Sequence, residues 1–279
     1  MRPTETLEAH GLPVPGNVYL CQVSPTVSCG ACCGLYNVAD ASAGNIEAVL
    51  YRRTAAFARV GRSVDDIYGF QQAIASSEDQ NRPFREFHHC PFIGLIGRNR
   101  SRVGCLLHPE AEGNGGVDFR GLSWYGGMAC RSYFCPTHRQ LPGRFRVAVC
   151  EAASDWYYYG LVITEVAMLS CYFNAVEKRL NRQLEKGDLL VHPDWQKAVR
   201  TFFRLKTHWS FRPSGAHGPA NYFFEDGQYP LPPVEYPGGC AGSSPYDPIF
   251  GALHSSFNNP EDLLAAEACI EELLLPFAP

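Results

Sequence analysis

From Ser28 to Asn37 the chain reads Ser-Cys-Gly-Ala-Cys-Cys-Gly-Leu-Tyr-Asn, so Cys29, Cys32 and Cys33 fall within one short turn of sequence. This stretch constrains the fold more than any other. Thiolates two to four residues apart can turn onto a shared ion without strain. Glycines beside them, here Gly30 and Gly34, let the backbone pass close and aim its N–H groups at sulfur. The chain holds twelve cysteines, and eight of them lie between Cys21 and Cys135. Cys150, Cys171, Cys240 and Cys269 are scattered singly through the second half and read as ordinary core or surface thiols.

What clustered thiols do depends on compartment. The first residues, Met1-Arg2-Pro3-Thr4-Glu5-Thr6, lack the apolar core of a secretory signal. No stretch approaches the ~18 apolar residues of a membrane span. The expectation is a cytoplasmic chain, in which clustered cysteines act as metal ligands or catalytic thiols rather than disulfides. A formal net charge of −4 offers no bulk attraction to nucleic acid or anionic lipid, so neither is an expected partner. Hydrophobic residues make up 46% of the 279, enough for a sizeable core.

Further along, the cysteines recur as Cys90-Pro91, Cys105-x2-His108-Pro109 and Cys130-Arg131-x3-Cys135. Between Cys90 and Cys105, two short apolar runs flank the turn-like Gly97 to Ser101, predicting a hairpin that brings those cysteines together at its open end. The candidate ligands are therefore Cys29, Cys32, Cys33, Cys90, Cys105, Cys130 and Cys135, with Cys21, His108 and His138 as further candidates. His88 and His89 read as structural histidines. Soft thiolates select zinc, copper(I) or iron–sulfur centres over calcium or magnesium. Adjacent side chains diverge, so Cys32 and Cys33 do not readily chelate one ion. Either one faces away, or they serve two metals of a polynuclear centre. Seven thiols exceed the four that one zinc ion or one cubane cluster uses.

Cys29-Gly30-Ala31-Cys32-Cys33, followed by Cys90-Pro91-Phe92, Gly104-Cys105-Leu106-Leu107-His108 and Cys130-Arg131-Ser132-Tyr133, resembles the YkgJ-like cysteine-cluster proteins over roughly residues 21–138. That family is described as a zinc- or iron-chelating domain with a CxxCxxCC signature, and the resemblance implies metal chelation by these cysteines. The signature's first cysteine would fall at Thr26, with Cys21 five residues earlier. A long insertion from Glu110 to Met128 precedes the Cys-Arg element. Flagellin lysine methylases are distantly similar in carrying a comparable cluster, which extends the implied activities to methyl transfer. No glycine-rich nucleotide fingerprint follows a clear strand.

The remaining sequence is mostly helical in pattern. One helix is predicted from Asn45 to a stop at Gly61, and another from Ser63, with Asp65 and Asp66 in its first turn. Val162, Val166, Leu169, Phe173, Val176 and Leu180 predict one continuous helix face, with Gly187 as a C-cap. His192-Pro193-Asp194 and Asn259-Pro260-Glu261-Asp262 read as helix starts. Residues 213–248 are rich in Pro, Gly and Tyr and predict an ordered arm or lid. Arg98, Arg100 and Arg102 read as a solvated basic turn, and Trp156 to Tyr159 as core aromatics. Arg131 is suited to a cluster sulfur, a bound anion or a carboxylate.

Together these readings predict a mainly α protein with a small, irregular, cysteine-rich α+β lobe, containing a short hairpin and organised around a metal centre. The lobe spans about residues 15–140, and a helical region fills 141–279. The expected function is metal chelation, zinc or iron–sulfur. One alternative is an iron–sulfur-dependent enzyme, methyl-transferring for instance, with its pocket between the lobe and the helical half. Another is a metal-braced interaction module.

Overall fold

A computed structural model describes residues 8–9, 11–85, 87, 89–123, 125–214, 233–236 and 243–278. His88, Cys240 and most of the arm expected at 213–248 lie outside the described residues. The chain is mainly helical, with two small two-stranded sheets. Among the described residues no single helix is long and apolar enough to cross a membrane.

Near the start, β1 (Glu8–Ala9) and β2 (Leu12–Pro13) pair antiparallel. A 3₁₀ turn at Ala31–Cys33 carries the adjacent cysteines. Helix α1 (Ala43–Phe57) begins at Ser42, whose hydroxyl accepts the Asn45 N–H. Helix α2 (Val64–Ser77) begins at Ser63, whose hydroxyl accepts the Asp66 N–H. Asp65 and Asp66 then face the positive end of α2, as the sequence predicted. The predicted stop at Gly61 is corrected: α1 ends at Phe57. The Arg62 guanidinium donates to the Phe57 and Val60 carbonyls and closes that end four residues early.

The hairpin forms as expected, from β3 (Ile93–Ile96) and β4 (Arg102–Cys105), with Ile93 opposite Cys105 and Ile96 opposite Arg102. Its basic turn is neutralised locally, since Arg100 pairs with Glu112 and Arg102 with Glu110. The second half contains α3 (Gly126–Ser132), α4 (Thr137–Gln140), α5 (Gly143–Ala152), α6 (Trp156–Val162) and α7 (Val166–Leu180). It continues with α8 (Asp188–Val191), α9 (Pro193–Arg204), α10 (Asp247–Ala252) and α11 (Pro260–Leu274). The starts predicted at His192-Pro193 and Asn259-Pro260 hold, each with proline in the first helical turn.

The continuous face predicted through Val162 and Leu180 is corrected. The chain bends by 97° between α6 and α7. Two polar contacts hold the bend. The Thr137 hydroxyl donates to the Ile163 carbonyl at 2.8 Å, and the Glu165 carboxylate turns inward to Lys206 Nζ at 2.7 Å. Both members of that ion pair are buried. Nor does Gly187 cap α7. Asn181 does so in the left-handed region, φ 51°, while Gly187 (φ 97°) turns the chain into α8.

Three apolar cores meet at the cysteine-bearing turn. The largest is built from α5 to α11 and takes in Leu20 and Val27 from the N-terminal lobe. The second joins Leu35, Ile46, Leu50 and Ile93 to Tyr157 and Leu161 of α6. The third gathers Phe57, Phe70, Phe92 and Leu107. Cys29 packs against the first and second, and Cys33 against the second and third. Tyr36, fully buried, donates its hydroxyl to the Tyr157 carbonyl at 3.0 Å and lies against Gly160, where a Cβ would overlap that hydroxyl.

Candidate metal centre

Four segments lie around the 3₁₀ turn, the first tied by a backbone hydrogen bond at Cys29 and the second at Cys33, and the last held through the side chains of Arg120 and His138. A tight turn at Ser24-Pro25-Thr26 folds Cys21 back on Cys29, whose N–H donates to the Cys21 carbonyl at 2.9 Å. The Ser24 hydroxyl fastens this turn by accepting the Thr26 and Val27 N–H groups. The Cys90 N–H donates to the Cys33 carbonyl at 2.8 Å. The hairpin then carries Cys105 to the same place, opposite Ile93. The Cys130 carbonyl is held at 3.3 Å by Arg120, which the Asp118 carboxylate grips in turn. Cys135 arrives through His138, whose Nε2 accepts the Leu20 N–H at 3.3 Å.

The seven candidate cysteines and Cys21 lie in one neighbourhood, close enough for their charges to act on one another. Cys90 is buried, Cys32 is exposed, and the other six are half-buried. Cys32 is thus the member of the group most open to water. Among the described residues, no three His, Cys, Asp or Glu side chains stand disposed to hold one metal ion.

The local turns favour sulfur as an anion. The Cys29 sulfur accepts the Ala31 N–H at 3.4 Å, and the backbone N–H groups of Phe92, Leu107 and Thr137 lower the cost of charge at Cys90, Cys105 and Cys135. Such N–H···S donors stabilise a thiolate and orient it. Side chains add to this. Tyr19 donates to Cys21, and the Ser123 hydroxyl lies 3.1 Å from Cys130 Sγ. The Nε2 atom of His138 accepts Leu20 N–H, so its proton sits on Nδ1 and points at Cys135 Sγ, 3.5 Å away.

Opposing these donors, burial pushes the Cys21, Cys29 and Cys33 thiols well up, and neighbouring sulfur charges push the same way. Cys90 is pushed up to about 12, chiefly by burial. Cys32 alone is held below the usual thiol value, first by the hydrogen bond from Cys33. A crowd of half-buried thiols cannot ionise together unless positive charge enters among them. The donors are soft, of the kind a thiophilic metal selects, but their side chains are not arranged around one ion.

The other candidates sort by geometry. His89 is structural: its Nδ1–H donates to the Gly34 carbonyl at 2.7 Å, and its Nε2 accepts from Arg53 at 2.7 Å. With both nitrogens occupied in a buried site, burial first and the Arg53 charge second lower its pKa to about 3. His108 accepts the Glu110 N–H on Nδ1. Arg131 pairs with Asp118 at 3.1 Å, the carboxylate option of the three foreseen. Sequence reasoning missed Arg53, Arg120 and Tyr19, because a buried arginine or tyrosine carries no local signature. The turn that brings in Cys21 was visible as Ser-Pro-Thr between Val23 and Val27.

A cavity of about 340 Å³ opens beside Cys90. It is lined by α1, α2 and residues of the 78–91 segment, among them Arg52, Arg53, Glu78, Arg82 and His89. It lies within the N-terminal lobe. No known protein family, curated protein or solved structure matches the chain.

Proposed function

We propose that this chain is a metal-chelating protein whose cysteine-rich lobe holds zinc or an iron–sulfur centre, as its resemblance to the YkgJ-like cysteine-cluster proteins implies. The observation that carries this reading is the backbone N–H 3.4 Å from the Cys29 sulfur, with backbone groups two residues on favouring charge at Cys90, Cys105 and Cys135 in the same way. Thiols that merely fill a hydrocarbon core need no aimed donors. Here four separate segments each present a thiol whose local donors favour the anion while burial keeps it protonated, so ionisation would wait for a cation. Bound there, the metal would supply cross-links between segments far apart in sequence, contributing ~10 kcal/mol or more to folding.

A second reading, an enzyme that uses such a centre on a substrate, is favoured by the cavity beside Cys90, a largely apolar hollow that carries several charged side chains. Its convergent charged groups are what a small polar substrate requires. On this reading the substrate would enter that cavity, within the lobe.

The test is anaerobic purification followed by metal analysis and an absorption spectrum. A brown protein with broad visible absorbance identifies iron–sulfur, and a colourless one with stoichiometric zinc identifies the other branch. Retention of neither metal, with Cys32→Ala and Cys105→Ala leaving stability unchanged, refutes chelation.

A further inference from the structure

The cavity of about 340 Å³ beside Cys90 lies at the small end of the range that ligand pockets occupy, ~300–1,000 Å³, so it selects a small ligand. Two helix faces form its walls. Asn45, Val49 and Arg52 follow helical spacing along α1, and Gln71, Ile74, Ala75 and Glu78 do so along α2. Val38 and Pro91 extend the apolar lining.

The buried polar groups of the lining are already bonded to protein. Arg53 forks onto Glu78 and donates to the Cys90 carbonyl and to His89, while His89 donates to the Gly34 carbonyl. The Asn37 amide is engaged at both its atoms by the Phe84 and Phe87 backbone. These groups offer a ligand no open donor or acceptor, so the interior of the cavity receives hydrocarbon.

The mouth is different. Arg52, mostly in solvent, shares one Glu78 oxygen with Arg53. The Glu78 carbonyl accepts from Gln80 Nε2, and Gln80 Oε1 accepts from Arg82 Nη2, so a short relay sets Arg82 near Arg52. Among the described residues Arg82 donates only to uncharged oxygens, those of Gln80 and the Phe87 carbonyl. Asp79, on the same turn, accepts the Asn81 N–H and forms no ion pair among the described residues. A guanidinium and a carboxylate thus stand three residues apart at the mouth of an apolar hollow without pairing to each other. The charged lining is balanced, Arg52, Arg53 and Arg82 against Asp40, Glu78 and Asp79, and favours a ligand with no net charge.

We infer that this cavity is a binding site for a small apolar α-amino acid, its side chain in the hollow, its carboxylate on Arg82 and Arg52, and its ammonium on Asp79. It rests on the second reading above, in which the cavity admits a substrate, and deepens it by naming the ligand class; it needs no metal. An α-amino acid carries both charges on one carbon, which is what two opposite, unpaired charges on one turn can meet together. A planar guanidinium takes a carboxylate by two parallel N–H bonds. The Cys90 carbonyl is held by Arg53 and the Cys90 N–H holds the Cys33 carbonyl, so the ligand lies one layer of hydrogen bonds from the cysteine turn.

The experiment is isothermal titration calorimetry of the full chain with three probes: leucine, leucine amide, which lacks the carboxylate, and isocaproate, which lacks the ammonium. Leucine is expected to bind in the millimolar range or tighter, and each analogue about fivefold more weakly. Arg82→Gln is expected to bring leucine down to the level of leucine amide, and Asp79→Asn to bring it down to the level of isocaproate, with far-UV circular dichroism as in wild type. An analogue that binds as tightly as leucine, variants that weaken all three probes alike, or no leucine binding at about 10 mM overturns the assignment. Where a variant fails to fold, the ranking of the three probes on the wild-type chain decides alone. The catalytic reading is tested separately, by proton NMR of leucine incubated with the chain: leucine bound but recovered unchanged upholds the assignment and counts against catalysis on this ligand.

Discussion

Arg53 is the residue whose replacement should disturb the cysteine lobe most without touching a sulfur. It rises from α1 into the interior, where its side chain is 1% exposed. Its guanidinium forks onto Glu78, with Nε 3.0 and 3.1 Å from the two carboxylate oxygens and Nη2 close to one of them. Nη1 donates to the Cys90 carbonyl at 2.9 Å, and Nη2 to His89 Nε2. Arg53→Met keeps much of the volume and removes every one of these donors. A Glu78 carboxylate only 10% exposed is left facing Arg52 alone, whose side chain is mostly in solvent. The Cys90 carbonyl and the His89 nitrogen lose their partners at the same time. Breaking a buried ion pair from one side costs about 3–5 kcal/mol. That is a large fraction of the ~5–15 kcal/mol by which domains are stable.

The assay is urea unfolding followed by far-UV circular dichroism, on samples of equal metal content. Arg53→Met is expected to lower stability by about 4 kcal/mol, since leaving one buried charge unpaired dominates the cost. Arg53→Lys keeps the charge without the fork and is expected to fall between the two. Combining Arg53→Met with Glu78→Gln removes the stranded charge, so the double variant should be less damaged than the two single costs added, by about 1–3 kcal/mol. The Cys90 thiol should also react faster with an alkylating reagent in Arg53→Met, because its carbonyl anchor is gone. Arg53→Met within about 1 kcal/mol of wild type, or a cycle with no coupling, refutes the account of this network.

In the helical half, Lys206→Met strands the buried Glu165 carboxylate and is expected to cost about 3–5 kcal/mol, whereas Lys206→Met with Glu165→Leu should come back close to wild type in thermal unfolding. Gly160→Ala drives a methyl group into the Tyr36 hydroxyl and is expected to cost about 1–3 kcal/mol, with Tyr36→Phe in the same background recovering part of the loss. Asp118 is held down to about 2 by its hydrogen bonds to Arg120. A carboxylate depressed in the fold stabilises above its unfolded pKa, near ~3.9, and that support is lost as pH falls through the folded value. Wild-type urea midpoints should therefore drop more steeply between pH 4 and about 2 than those of Asp118→Asn.

Elements written in local chemistry were legible in the sequence. Ser42 and Ser63 announce α1 and α2, Asn259-Pro260 announces α11, and Gly97 to Ser101 marks the hairpin turn. The errors arose where distant residues overrule local pattern. Val162 and Val166 continue an apolar stripe perfectly well, but Thr137 takes the Ile163 carbonyl and Lys206 draws Glu165 inward, and the helix breaks between them. Gly61 looks like a stop, yet Arg62 closes α1 earlier. At the site, the sulfurs were legible because cysteine spacing is local. How they lie relative to one another was not, because it depends on which carbonyl Cys90 meets and where Arg120 lies. The adjacency of Cys32 and Cys33 posed that question in sequence without answering it.

The position of the CGACCG turn gives the cysteines a role in the whole fold. Cys29 borders the core of the helical half and the core of α1, and Cys33 borders the latter and the phenylalanine core of α2 and the hairpin. Tyr36, only three residues past Cys33, reaches α6 through the gap left by Gly160. The turn is thus where three apolar cores share a wall, and that wall is lined with half-buried polarisable sulfur rather than tightly interlocked hydrocarbon. Neutral thiols in the gap between the cores contribute only weak dispersion contacts across it. Thiolate–metal bonds across the same gap would bind each core to its neighbours through a rigid centre. On this view, stripping metal would loosen the boundaries between the cores before it melted any one of them, so chelation should raise binding of a hydrophobic dye while far-UV ellipticity is still largely retained. Helix loss concurrent with dye binding would mean that the cores do not depend on the turn separately, and would remove it from its place as their junction.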